Sequence, residues 1–384
     1  MDKVRFGIIG IGNIGTVHTR YLLAGEIKQA CLTAVCDNNP EKHPAIKQLV
    51  GDAIPLFSDA QEMLDSGLID AVIVATPHYA HPTLSMMAMR RGIHTLCEKP
   101  AGVYTAQVEE MNACARECDV VFGIMYNQRP NPLYQKVKDL IDSGELGEIR
   151  RSNWIITNWY RSQSYYNSGG WRATWKGEGG GVLLNQDPHQ LDLWQWLVGM
   201  PVRLRAFCQF GKHRQIEVED EVTAYAEYAN GATGVFITTV AETPGTNRLE
   251  IVGDRGKVVV ENGQLQFWRL RESETAFNAR WDKGFGEPEC WQVQVPGGPE
   301  CSDHQVITAN FTDAILHHTP LIAPGLEGIR GLTLSNAMHL STWTDDWVTL
   351  PLDSQRYLAL LQQRIAHSQE KPVVSRTLDA SGSW

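Results

Sequence analysis

Residues 4–15 read Val4-Arg-Phe-Gly-Ile-Ile-Gly10-Ile-Gly12-Asn13-Ile14-Gly15. The apolar run Val4–Ile9 ends in glycines, and a helical stretch follows to about Leu23. In this spacing the first glycine permits a tight turn, and the second leaves room for a pyrophosphate against the backbone. The third lets helix and strand approach closely. The helix start, at Asn13 and Ile14, offers N–H donors and positive dipole potential to a phosphate. Taken alone, the spacing also fits a plain structural βα turn. The next strand-like run, Leu32–Cys36, ends at Asp37. A carboxylate there can accept hydrogen bonds from both hydroxyls of an adenosine ribose. It repels a 2′-phosphate, and Asn38 and Asn39 are uncharged, which favours NAD over NADP; nearby Lys42 keeps NADP open.

Working outward, Pro55–Phe57, Ala71–Ala75, His94–Cys97 and Val120–Ile124 read as further strands. Helices near Ala60–Ser66, Pro82–Arg91 and Thr105–Cys118 separate them. Ala71–Ala75 is apolar throughout, as a strand covered on both faces requires. This alternation predicts βαβ units around a doubly wound parallel sheet, an α/β domain over residues 1–125. Residues 126–384 read as α+β. A helix over Pro132–Ser143 leads through a Gly144–Gly147 turn to a long strand, Ile149–Tyr160. After a helix near His189–Val198 come strands at Arg203–Gln209, Val222–Tyr228, Thr233–Val240, Arg248–Val252, Lys257–Glu261 and Leu265–Arg269. Asn230-Gly231 and Asn262-Gly263 are hairpin turns, so the sheet is expected to be mostly antiparallel with one or two helices against it. Residues 271–300 read as a long loop, and helices return near Val306–His317 and Gly325–Thr342.

The chain has 384 residues, 43% hydrophobic and 20% charged, which excludes disorder as the main state. At roughly 150 residues per domain, two domains are expected. A formal charge of −10 argues against nucleic-acid or anionic-membrane partners. No apolar run approaches the roughly 20 residues of a membrane span. The start, Met1-Asp2-Lys3-Val4, does not read as a signal peptide. Eight cysteines without a CxxC pair are expected to be free thiols in a reducing cytoplasm. Cys114 and Cys118 share a helix face but lack a further zinc ligand nearby, and no metal is expected.

Ala75-Thr76-Pro77-His78-Tyr-Ala-His81 and Cys97-Glu98-Lys99-Pro100 stand at the ends of the fourth and fifth strands. Further motifs follow in order: Tyr126-Asn-Gln128-Arg129, the Gly144–Gly147 turn, and Gly179-Gly-Gly181-Val-Leu-Leu-Asn185-Gln-Asp-Pro-His189-Gln-Leu-Asp192. Asn310-Phe311 and Asn336-Ala337 complete the set. With the glycine loop, the chain resembles the glucose–fructose oxidoreductase/inositol dehydrogenase/rhizopine-catabolism family of sugar and polyol dehydrogenases. The resemblance implies a Rossmann domain and an open-faced sheet domain, with nicotinamide and substrate meeting between them, in homodimers or homotetramers. By that matching Lys99 and His189 are catalytic. Thr76, Pro77, His78, His81, Glu98, Lys99 and Gln128 lie at the cofactor, and Tyr126 lies at the substrate. The chemistry agrees. Oxidising an alcohol needs a base for the hydroxyl proton and a donor for the developing charge on oxygen. His189 suits the first task near neutral pH and Lys99 the second. Plainer readings exist: Lys99 as a surface charge, His189 as a helix cap, His78 and His81 as solvated, and Glu98 as a salt-bridging group.

One departure stands out. The family commonly carries Asp four residues before the catalytic histidine, where this chain has Asn185. Asn185 can orient His189 or bind a substrate hydroxyl but cannot ionise. Asp187, at a two-residue helical offset, is expected to face elsewhere. The loop before the glycine triplet supplies Arg161, Trp171, Arg172 and Trp175, whose planes and donors suit a sugar ring. Trp154, Trp194 and Trp196 are expected in the core, and His317-His318 at a solvated helix end. The expected function is NAD-dependent oxidation of a secondary hydroxyl of a pyranose, a glycoside (the 3-position being a narrower expectation) or an inositol. The alternatives are oxidation-assisted glycoside cleavage with recycled NAD, or a non-catalytic sensor of nucleotide or sugar. Retention of both Lys99 and His189 argues against the sensor.

Overall fold

The structure is a computed structural model and describes residues 2–296, 304–369 and 371. Six parallel strands form the first sheet: β1 (Val4–Ile9), β2 (Ala30–Cys36), β3 (Leu56–Phe57), β4 (Ala71–Val74), β5 (His94–Cys97) and β6 (Phe122–Ile124). Their order is β3-β2-β1-β4-β5-β6. Helices α1 (Asn13–Leu23), α2 (His43–Val50), α3 (Ala60–Asp65), α4 (His81–Met89) and α5 (Thr105–Glu117) make the crossovers. The winding direction reverses between β1 and β4, which opens a crevice beyond the strands' C-terminal ends. All four β4 residues are buried, as its unbroken apolar run requires. Gly10 has φ +93°, and a Cβ on it would lie 2.7 Å from the Ala75 carbonyl oxygen; one on Gly15 would lie 1.9 Å from the Gly10 oxygen. Around Gly12 nothing lies within 4 Å of such an atom, so this flank is open.

The second sheet has nine strands: β7 (Ile149–Ile156), β8 (Arg203–Phe210), β9 (Glu219–Glu227), β10 (Thr233–Thr239), β11 (Asn247–Gly253), β12 (Gly256–Glu261), β13 (Gln264–Leu270), β14 (Cys290–Gln294) and β15 (Val348–Thr349). Their order is β14-β13-β12-β11-β7-β10-β9-β8-β15, and every pairing is antiparallel except β7 with β10. The remaining helices are α6 (Pro132–Asp142), α7 (Gln163–Tyr166), α8 (Val182–Asn185), α9 (Pro188–Val198), α10 (Glu274–Arg280), α11 (His304–His317), α12 (Gly328–Thr344) and α13 (Ser354–Ala366). Helices α9 and α12 pack together, and α12 lies along β8. Trp194 on α9 is buried in this layer, its indole donating to Ser152 Oγ on β7 at 2.9 Å. On the sheet's other face β8 and β9 expose Phe207 and Tyr225. Helix α11 returns to the first sheet. Phe311 packs 6.3 Å from Phe6, Thr308 Oγ1 meets the Tyr21 hydroxyl at 2.8 Å, and Pro324 bridges Gly123.

Three expectations need correction. The strand expected to reach Tyr160 ends at Ile156, where the chain leaves the sheet toward α7. The expected loop 271–300 contains α10, capped by Ser273 Oγ accepting from Ala276 N at 3.1 Å, and the edge strand β14. Only Phe277 of α10 is buried, and four of the five β14 residues are exposed, so hydrophobic periodicity gave little signal. Helix α13 was not anticipated; it buries only Tyr357 and Leu361. The seven described cysteines are free thiols, Cys114 and Cys118 standing with sulfurs 4.0 Å apart, and Cys301 lies outside the described residues. Among the described residues no helix is long and apolar enough to cross a membrane.

Candidate active site

The crevice beyond β1 and β4 has the features of a dinucleotide cradle. Asp37 is buried at the end of β2 and accepts from Ile11 N at 2.9 Å and Asn39 N at 3.0 Å, with the Lys42 ammonium 3.2 Å away. Two oxygens with several lone pairs keep acceptor capacity for ribose hydroxyls. Asn13 and Asn38 are exposed and Ile14 is half-buried at the rim, beside first-turn N–H groups that no helical partner takes. Across the crevice, Thr76 Oγ1 and His78 Nδ1 are buried without a hydrogen-bond partner. Such orphans, with the open flank of Gly12, fit a polar ligand along the crevice. Pro77 is exposed and Gln128 half-buried. His81 differs from the expectation. Its ring is buried, with the two nitrogens 2.7 Å from the Pro100 and Thr76 carbonyl oxygens, so it fastens the crevice wall from behind. Glu98 takes the salt-bridging role: His18 Nε2 lies 2.7 Å from it, and Lys99 N donates to its other oxygen at 3.1 Å. Burial pushes this carboxyl up, but the His18 hydrogen bond and charge prevail and bring it to about 2.

At the end of β5, Lys99 Nζ reaches across to the second half of the chain and donates to the Asn185 carbonyl at 2.9 Å. That carbonyl ends α8; Asp187 is non-helical (φ −97°, ψ 10°), and α9 starts at Pro188. The short break places His189 in the first turn of α9, its ring edge-on to Tyr126 at 6.3 Å between centroids. His189 Nδ1 is buried without a partner. Burial holds this imidazole well below its usual range, and the Lys99 and His304 charges push it the same way. Burial also lowers Lys99, with Arg161 and Arg172 adding to the effect and Glu98 and Glu178 opposing it.

Sequence reasoning missed one carboxyl of the site and took Asp187 to stand within a helix. Glu178, just before the glycine triplet, is buried; it accepts from Asn185 Nδ2 and from Ala173 N at 2.5 Å. The side chain of Asn185 is thus turned by a carboxylate one step further out. Asp187 was expected to face away on a continuous helix, but the break between α8 and α9 removes that helical offset. Its carboxyl is fully buried, neither oxygen has a hydrogen-bond partner among the described residues, and burial pushes it up to about 8.

The aromatic loop divides. Trp171 is half-buried against His78, with ring centroids 5.8 Å apart, and Arg172 lies over it. Arg161 is half-buried beside Tyr165. Trp175, expected at the substrate, is instead core: its indole packs against Phe210, His339 and Trp343 at 5.5–5.7 Å. Tyr126 is also enclosed, its hydroxyl 3.3 Å from the Gly328 carbonyl, so it backs His189 and does not border the cleft. Beneath α9, Arg129 forms a bidentate pair with Asp192 (2.7 Å twice) and reaches Glu327 at 2.6 Å.

A doubly wound sheet with a glycine cradle, facing a lysine and an unpartnered histidine, defines a nicotinamide-nucleotide oxidoreductase. Residues 4–126 match the family model described as oxidoreductase family, NAD-binding Rossmann fold, and residues 134–259 match the GFO/IDH/MocA C-terminal domain. The chain belongs to this Gfo/Idh/MocA family of NAD-binding oxidoreductases. It is 26% identical to inositol 2-dehydrogenase of Rhizobium meliloti, over 87% of this chain and 95% of that one. It is 28% identical to D-glucoside 3-dehydrogenase of Escherichia coli, over 60% and 68%. Among solved structures, the WlbA dehydrogenase of Bordetella pertussis in complex with NADH and UDP-GlcNAcA superposes with a TM-score of 0.76. The identity is 28%, covering 91% of this chain and all of that one.

Proposed function

We propose that this oxidoreductase oxidises a secondary ring hydroxyl of a sugar or cyclitol to a ketone, with Lys99 and His189 as its catalytic residues. The observation that carries the reading is the meeting of Lys99 Nζ with the Asn185 carbonyl, four residues from an imidazole whose buried Nδ1 has no partner. NAD, when bound, supplies the acceptor for the carbon-bound hydrogen and its electron pair. Lys99 spends one of three donors on Asn185, leaving two for the reacting oxygen, whose developing negative charge its ammonium favours. His189, kept neutral by burial, is the base that accepts the hydroxyl proton. Asn185 and the Trp171-Arg172 pair hold the ring in place. Support for a ring substrate comes from relatives named for inositol and glucoside oxidation and from the sugar nucleotide in the WlbA complex.

A screen of pyranoses, glycosides and inositols with NAD, read as reduced cofactor, tests this directly. At least one substrate is expected to turn over. Lys99→Ala is expected to lose about 10²–10³-fold in kcat while retaining NAD affinity. Tight NAD binding without oxidation of any ring alcohol overturns the reading. The free thiols support a reducing compartment such as the cytoplasm. The exposed face of the second sheet supports self-association as a dimer or tetramer.

A further inference from the structure

Two guanidiniums stand close enough to Lys99 for their charge to act on it. Arg161 Nη1 donates to the Tyr160 carbonyl at 3.0 Å, and its guanidinium lies 5.2 Å from the centre of the Tyr165 ring. Arg172 Nη1 donates to the Tyr165 hydroxyl at 2.8 Å, with its guanidinium 4.6 Å from the same ring. One tyrosine thus carries both. Among the described residues neither guanidinium forms a carboxylate ion pair, and Arg161 Nε is buried without any hydrogen-bond partner. Arg129 is paired with Asp192 and Glu327, Arg150 with Asp254 and Glu274, and Arg248 with Glu250 and Glu261, whereas among the described residues Arg214 and Arg364 meet only carbonyls and rings.

The nearby carboxyls are engaged by other donors, Glu98 by His18 and Glu219 by the Gly181 and Leu183 N–H groups. Glu178 is engaged by the Asn185 amide and the Ala173 N–H. Asp187, pushed to about 8 by burial, is largely uncharged at neutral pH. Arg161 and Arg172 are therefore each left without a carboxylate of their own. Cations removed from water without a counter-charge are costly, and the fork of a guanidinium matches the paired oxygens of a carboxylate or phosphate.

We infer that the ring substrate carries an oxyanion, a carboxylate or a phosphate ester, received by Arg161 and Arg172 while Lys99 holds the reacting hydroxyl. This rests on the ring-alcohol reading above and narrows it to acidic sugars.

The test uses matched sets: glucose, glucuronate and glucose 6-phosphate, and the corresponding galactose set. Turnover with NAD is measured for each, together with binding to the NADH-loaded protein by thermal shift. An acidic member is expected to exceed its neutral partner at least tenfold in kcat/KM, and whether carboxylate or phosphate leads identifies the group. Arg172→Gln is expected to narrow that ratio; Arg161→Lys, which keeps charge but loses the fork, is expected to narrow it less. Neutral sugars oxidised as well as acidic ones, or a ratio that neither variant moves, overturns the inference while leaving the ring-alcohol reading intact. If no sugar turns over, that earlier reading falls, and binding decides this one. Acid-selective binding weakened by Arg172→Gln upholds it, and binding without acid preference, or no binding, overturns it.

Discussion

At position 185 an amide stands where a carboxylate is usual, and the carboxylate reappears at Glu178, bonded to that amide. Asn185→Asp places two carboxyls together, and such a pair retains a proton. The variant is therefore expected to raise the apparent base pKa in the kcat/KM profile only slightly. Adding Glu178→Gln frees the new carboxylate to ionise and gives the larger rise; equal profiles in the two variants would remove Asn185 from the coupling to His189. Asp187 offers a separate test. Its folded pKa lies near 8, far above the ordinary Asp value near 3.9, so the unfolded chain ionises first as pH rises and stability is lost between about pH 4 and 8. Asp187→Asn is expected to be near-neutral at pH 4 and stabilising by a few kcal/mol at pH 8, measured by urea unfolding. Lys99 and His189 were legible because each sits in an ordered motif at an element's end. Glu178 was not: a carboxylate seven residues before Asn185 has no periodic meaning until the glycine triplet folds back.

Among elements, α9 is the one the site leans on, and one buried ion pair holds it. Arg129 and Asp192 are each about 1% exposed, and Glu327 joins from the turn before α12. Arg129→Met leaves the Asp192 carboxylate buried and unpaired, with an expected loss of about 3–5 kcal/mol in urea unfolding. Arg129→Met combined with Asp192→Leu is expected to lose less, because no lone charge remains; an equal loss would place the effect in packing instead. Most strands of both sheets were readable from period and turns, since their apolar residues face cores. The elements missed, among them α2, α10, β14, β15 and α13, bury at most two side chains each, and their stability comes from capping and edge pairing that single-chain periodicity does not register.

Over the whole molecule, the second sheet covers one face with helices and leaves the other bare. Phe207 is 54% exposed and Tyr225 39%, and the Arg203 guanidinium lies 4.5 Å from the nearby Trp347 ring. Light scattering is expected to give at least a dimer, and Phe207→Lys with Tyr225→Lys to lower it to a single chain; an unchanged mass would direct attention to another surface. The sequence predicted this sheet, but which of its faces α12 would cover emerged only from the fold. The placement of α11 carries a different implication. Phe6 lies in β1, yet its neighbour Phe311 comes from α11, and the Thr308 that meets Tyr21 follows it by 287 residues. The nucleotide-binding half is thus begun long before the helix that completes its core is made. A nascent chain stalled between those points keeps an apolar face uncovered, and chaperones or proteases meet it there.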